Sequence, residues 1–198
     1  MPGRVARQVV EGALEAMARM SMTPLNYWAE FAVDVPLGAA LICGGLRMGK
    51  LDSTSILVTI LLGLLLFSLI EYAFHRWLLH GSVQFLVKGH RAHHEDPQGY
   101  DSLPFFLPGL ILLALAGMLA CLLPAGRSFL LIGTVALGYA AYGISHFVLH
   151  HHRFQRGLGR RWAANHHVHH FRANTNFGVT TPLWDVLMGT RYVAPSRG

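Results

Sequence analysis

The chain has 198 residues, 53% of them apolar and only 13% charged, with a formal net charge of +6 and a mean hydropathy of +0.39. Soluble domains carry roughly twice that share of charge, so the composition excludes an ordinary water-soluble fold and points to a single membrane domain. A basic balance would also suit nucleic acid, but modules of that kind do not carry four long apolar runs; no nucleic-acid partner is expected, and the charge reads as membrane topology.

Residues 1–22 set Val9, Val10, Ala13, Leu14, Met17 and Met20 at helical spacing among Arg4, Arg7, Glu11, Glu15 and Arg19. This predicts an amphipathic segment on the membrane surface, without the apolar core and cleavage site of a secretory signal. Residues 23–198 are expected to form the membrane domain. A first span over about residues 28–46 is interrupted by Asp34 and Pro36 and is expected to be short or kinked. The second starts at Ser53, runs through the apolar block 56–70 and ends near Phe74. A third covers about 104–123 and a fourth about 129–148, divided by the Pro124-Ala125-Gly126 turn. Runs of ~20 residues match a ~30 Å hydrocarbon core, where only internally hydrogen-bonded helices are stable. The expected fold is therefore all-α and integral to the membrane, with about four transmembrane helices. Cys43 and Cys121 lie far apart in apolar stretches without CxxC spacing, and read as small apolar residues rather than a disulfide.

With four spans, thirteen Lys and Arg side chains fall on the side of the termini and three (Arg47, Lys50, Arg127) on the other. The positive-inside rule then places both termini in the cytoplasm, in a bacterial inner membrane or endoplasmic reticulum according to source.

All 13 histidines fall on that basic side or at the membrane ends facing it. His75 and His80 form HxxxxH after the second span. His90, His93 and His94 form HxxHH. His146 and His150 form HxxxH at the end of the fourth span, and His166, His169 and His170 form a second HxxHH. On a helix, residues three and four apart share a face, so each HxxHH presents three imidazoles to one side. His75 and His80, five apart, splay by about 140° on a regular helix; they converge only if the helix breaks, or else they reach different metals. Ten imidazoles from four segments suffice for two metal ions with positions left for oxygen and substrate. A pH sensor needs one or two histidines, and charged imidazoles packed this closely repel, so metal binding explains the pattern. A cytoplasmic helical cap holding a dinuclear site is expected.

Imidazole suits zinc, copper, iron and nickel. Zinc would support hydrolysis and iron oxygen chemistry. A non-catalytic membrane metal-binding or transport protein would favour ligands near the bilayer midplane, whereas these cluster at one face. A haem carrier would use only two axial positions.

The order HxxxxH, HxxHH, HxxxH, HxxHH resembles the fatty acid hydroxylase and sterol desaturase superfamily over about residues 53–192. The finer similarity is to the fatty acid 2-hydroxylase branch. It is carried by Glu71-Tyr72 before His75-Arg76, by Pro97, Asp101 and Pro104 after His94, and by Gly138-Tyr139 and Tyr142 before His146. Phe177-Gly178-Val179-Thr180, Leu183-Trp184-Asp185 and Gly189-Thr190 complete it. The resemblance implies a di-iron, oxygen-dependent hydroxylase of a membrane-associated acyl chain, with zinc able to enter the same cage in preparations; a sterol or carotenoid oxidase is the neighbouring activity. It implies His75, His80, His90, His93, His94, His146, His150, His166, His169 and His170 as metal ligands. His151, His152 and His167 are left as supporting or solvated residues.

Around the ligands, Glu71, Tyr142 and Asp185 are the supporting candidates. Glu71 is expected to orient His75 or neighbouring polar groups, or else to pair with Arg76. Tyr139 and Tyr142 are placed either to line a substrate mouth or as ordinary interfacial aromatics. Asp185 and Trp184 are expected to close the cap, with interfacial anchoring the alternative for Trp184, and Phe177-Gly178 reads as a tight turn using a positive φ. One departure stands out: Gly143 follows Tyr142 where the branch often has Asp. No cytochrome b5 module is expected within these residues, and electrons are expected from a separate protein such as a cytochrome b5 or ferredoxin.

Overall fold

The computed structural model describes residues 2–194, with side chains from Arg7 onward except Phe85. The basic contribution of Arg197 and the side chain of Arg4 lie outside the described residues. Among these residues the regular structure is entirely helical.

Helix α1 (Pro2–Ser21) exposes Val9 and Val10 and carries Arg7–Glu11 and Arg19–Glu15 ion pairs across single turns. Thr23 then caps α2 (Pro24–Met48), accepting a hydrogen bond from Asn26 N, with Pro24 at the first helical position where no donor is needed. Helix α2 continues through Pro36 for 25 residues, so the expected interruption does not shorten it. Asp52 caps α3 (Ser53–Ala73), accepting from both N and Oγ of Ser55. Helices α4 (Gln84–Glu95), α5 (Leu107–Ala120), α6 (Ala125–His151), α7 (Gly157–Phe171) and α8 (Leu183–Leu187) follow.

Among the described residues, three helical stretches are long and apolar enough to cross a bilayer: Pro24–Met48, Ser53–Leu79 and Ala125–His151. The expected span at 104–123 is trimmed at both ends. Helix α5 has 14 residues, about 21 Å of rise against a ~30 Å hydrocarbon core. Asn26 is the reason at its start: Nδ2 donates to Leu103 O at 2.8 Å, and Phe105 N donates to Oδ1 at 3.0 Å. Both bonds hold the 103–105 backbone out of the helix.

Helix α6 is central, packing on α2, α3 and α5. Small residues allow the approach: a Cβ on Gly45 would lie 2.6 Å from Gly126 O, and one on Gly63 2.8 Å from Thr134 Cβ. Leu57, Leu61, Leu62, Leu64 and Leu65 of α3 remain exposed, as lipid-facing side chains do. This packing brings the C-terminal ends of α3 and α6 together at one end of the bundle, where α4 and α7 cover them.

Candidate metal centre

The α3 helix does not break at His75. It widens into a π-helical turn, Phe74–Leu79, closed by an i→i+5 hydrogen bond from His80 N to His75 O of 3.2 Å. That turn restores to one face two residues that a regular helix would splay, and the rings stand 5.2 Å apart.

The ten predicted histidines gather into two groups whose potential ligand atoms lie within 4.8 Å of one another. One holds His75, His80, His90, His94 and His169; the other holds His93, His146, His150, His166 and His170. Each HxxHH is divided between them. Its first and last histidines, one turn apart, serve one cage, while the middle histidine crosses to the other. His151, His152 and His167 fall outside both groups.

The geometry fits metal better than hydrogen bonding. Nε2 atoms face each other at 3.0 Å for His75–His90 and His80–His90, 3.1 Å for His80–His169 and His90–His94, and 2.8 Å for His150–His166. Ligands about 2.1 Å from one metal at right angles are about 3.0 Å apart. His75 Nδ1 donates to Phe177 O at 2.5 Å and His169 Nδ1 donates to Thr175 O at 2.8 Å. Each donation commits the ring proton to Nδ1 and leaves the neutral Nε2 lone pair facing inward. Burial and then neighbouring imidazole charge push His80 down to about 4 and His93 to about 3. Burial also pushes His169 down to about 3, outweighing its bond to Thr175, and holds His90, His94, His166 and His170 below the usual histidine range. These imidazoles are held in the neutral form that a metal ligand requires.

Of the expected roles, Glu71 takes the one on neighbouring polar groups and contacts neither His75 nor Arg76. Its Oε1 accepts from Val179 N at 2.5 Å and Thr180 N at 2.9 Å, and its Oε2 accepts from Thr180 Oγ1. Asp185, fully buried, accepts from Phe177 N at 2.8 Å, Gly178 N at 2.9 Å and Thr190 Oγ1 at 2.8 Å. The two carboxylates thus hold the segment whose carbonyl orients His75, and Arg76 instead donates to Tyr72 OH at 2.8 Å. Trp184 donates from Nε1 to Ser68 Oγ at 3.0 Å, tying α8 to α3.

Tyr142 lies parallel to His146, 5.8 Å away and inclined by 9°, while Tyr139 OH donates to Glu30 at 2.6 Å and is a helix-packing contact. The positive φ of the tail loop belongs to Asn176 (55°), not Gly178; Gly178 is needed because a Cβ there would lie 2.1 Å from Thr181 O. Gly143 has a similar explanation. Its carbonyl accepts from Tyr27 OH at 2.8 Å, and a Cβ would meet Phe31 Cζ at 2.8 Å. The Phe31 ring fills the space a carboxylate would need.

Sequence reasoning missed the Phe177 and Thr175 carbonyls, which any residue type could supply, and the cavity of about 480 Å³ lined by Asp96, Pro97, Gln98, His150, His167, His170 and Phe171.

Fold and site together define a helical membrane protein with two adjacent five-histidine cages at one end of its bundle. The family model for fatty acid hydroxylase matches residues 60–190. The chain is 28% identical over 182 residues to the dihydroceramide fatty acyl 2-hydroxylase FAH2 of Arabidopsis thaliana, covering 85% of this chain and 75% of that one. It is 31% identical over 141 residues to the fatty acid 2-hydroxylase of Rattus norvegicus, covering 65% of this chain but 38% of the relative. The solved structure of full-length Scs7p, in which only the hydroxylase domain is visible, shares the fold with a TM-score of 0.74 at 24% identity, covering 90% of this chain and 70% of that one. The chain belongs to the fatty acid hydroxylase family, and is an oxidoreductase of the monooxygenase type.

Proposed function

We propose that this protein is a di-iron, O2-dependent hydroxylase that oxidises carbon 2 of a fatty acyl group, free or within a ceramide. The carrying observation is the pair of five-histidine cages built at the membrane end of α3 and α6. The relatives named for 2-hydroxylation of fatty and dihydroceramide acyl groups supply the substrate class.

All ten histidines would hold the two metal ions, five to each. Bound iron supplies the activation of oxygen that carbon–hydrogen hydroxylation requires; zinc in the same cages would not be redox-active. The overall conversion inserts one oxygen atom into a C–H bond and reduces the other to water with two electrons and two protons. Within it, Phe177 O and Thr175 O hold His75 and His169 in one tautomer, Glu71 and Asp185 hold the Phe177 carbonyl still, and Tyr142 steadies the His146 ring. The Phe177 ring packs against His75, His80 and His169 and shields that side of one cage from water.

The positive charge distribution supports a cytoplasmic cap and termini. The exposed apolar side chains of α1 support its lying on the membrane surface. A separate electron-transfer protein, of the cytochrome b5 or ferredoxin class, would deliver electrons to the basic face. The test is lipid mass spectrometry of an expressing host. Wild type should add one oxygen to acyl chains, with the hydroxyl at carbon 2; His93→Ala and His169→Ala together should abolish the product. Full hydroxylation by that double variant would sink the proposal, and gain of oxygen on a sterol or carotenoid instead would replace the substrate.

A further inference from the structure

We propose that the two cages are inequivalent: the cage of His93, His146, His150, His166 and His170 is open, exchanges its metal first and accepts small exogenous anions, while the cage of His75, His80, His90, His94 and His169 is closed. This rests on the reading above that both cages hold metal.

The motifs themselves do not distinguish the cages. His94 and His170 occupy equivalent places in the two HxxHH motifs and stack at 4.3 Å. Their surroundings differ. In the closed cage, His75 and His169 each donate Nδ1–H to a backbone carbonyl, and the nearby backbone is itself tied down by Asp185 and Asn176. In the open cage, Nδ1 of His93, His166 and His170 is buried without a hydrogen-bond partner among the described residues. Loss of such an outer partner typically weakens a metal site about 10–100-fold. Buried N–H groups of this kind call for water or a ligand atom.

Access runs the same way. The Phe177 ring lies 5.8, 5.5 and 5.6 Å from the rings of His75, His80 and His169, shielding three of the five ligands of the closed cage on one side. The 480 Å³ cavity is lined by His150 and His170 and by no member of the closed cage. A smaller void of about 10 Å³ touches His93, His146 and His150 beside Asp101 and Tyr100, room for about one water. Between them the two voids border His93, His146, His150 and His170 and no histidine of the closed cage, so an exogenous molecule can reach the metal, and solvent can help it leave, on the open side.

The experiment uses the full chain in lipid nanodiscs loaded with Co(II), whose visible spectrum reports coordination. Metal content is measured first, and then its loss after excess chelator is added. Two ions per chain are expected, one leaving about tenfold or more faster than the other, and azide should alter the spectrum of the fast-leaving ion alone. His170→Ala should remove the fast phase and keep the slow one. Phe177→Ala, which keeps all ten histidines and the backbone carbonyl, should accelerate the slow phase and leave the fast phase unchanged. Two ions leaving together, azide acting on the slow ion, or a fast phase surviving in His170→Ala would each overturn the inference. Fewer than two ions in fully loaded, folded wild type would instead overturn the two-cage reading beneath it.

Discussion

Glu71 in α3 and Asp185 in α8 divide four consecutive backbone N–H groups between them: Asp185 takes those of Phe177 and Gly178, Glu71 those of Val179 and Thr180. Two side chains 114 positions apart thereby fix one carbonyl, Phe177 O, against His75. Asp185→Asn would set an amide donor against a backbone donor at a fully buried position. The expected loss is about 2–4 kcal/mol of stability, with metal affinity down about 10–100-fold. Thermal unfolding and metal content after dialysis against a chelator check this; wild-type metal retention would show that the carboxylate does not support the cage.

Gly143→Asp, which puts a carboxylate where the resemblance to the 2-hydroxylase branch led one to be expected, should destabilise this chain rather than improve it. Its Cβ would sit 2.8 Å from Phe31 Cζ, an overpacking that typically costs about 1–3 kcal/mol. Combining it with Phe31→Ala should recover part of that cost. Unfolding temperatures of the two single variants and the double variant make the comparison, and additive losses would refute the steric account.

The metal-free protein should lose stability as pH falls from about 6.5 toward 4. His80, His93 and His169 stay neutral when folded down to about 4, 3 and 3, whereas unfolded they take up protons near 6.5. In that window the unfolded chain binds more protons, so stability rises with pH and is fully present above about 6.5. Saturating metal should move the loss to lower pH, because metal and proton compete for the same lone pairs. Melting curves at pH 7, 6 and 5, with and without metal, read the effect; a flat profile without metal contradicts it.

Gly45→Ala should disrupt the bundle far from the histidines. The new methyl would lie 2.6 Å from both Gly126 O and Leu130 N, backbone atoms that no rotamer change can move aside. A loss of about 1–3 kcal/mol or more is expected, whereas Gly117→Ala, with open space around it, should be neutral or slightly stabilising. Equal unfolding temperatures for the two variants would argue against close α2–α6 packing.

Much of the site was legible because its signals are local. The spacing of His90, His93 and His94, and of His166, His169 and His170, already implies imidazoles on one helical face, since helix period depends only on the chain's own geometry. Apolar run length likewise marked α2, α3 and α6. The length of α5 was not legible, because the clamp that ends it is Asn26, 79 positions before Phe105.

By itself, then, the sequence determined a helical membrane protein, the ten clustered histidines and the family to which they belong. Tertiary structure alone decided that each HxxHH is shared between two cages, that His75 and His80 meet through a π turn, and which polar groups Glu71 and Asp185 hold, namely the backbone N–H groups of residues 177–180. Those outcomes depend on which side chains approach from distant segments and on which carbonyls they leave exposed. Neither is encoded in the local periodicity that makes a helix readable.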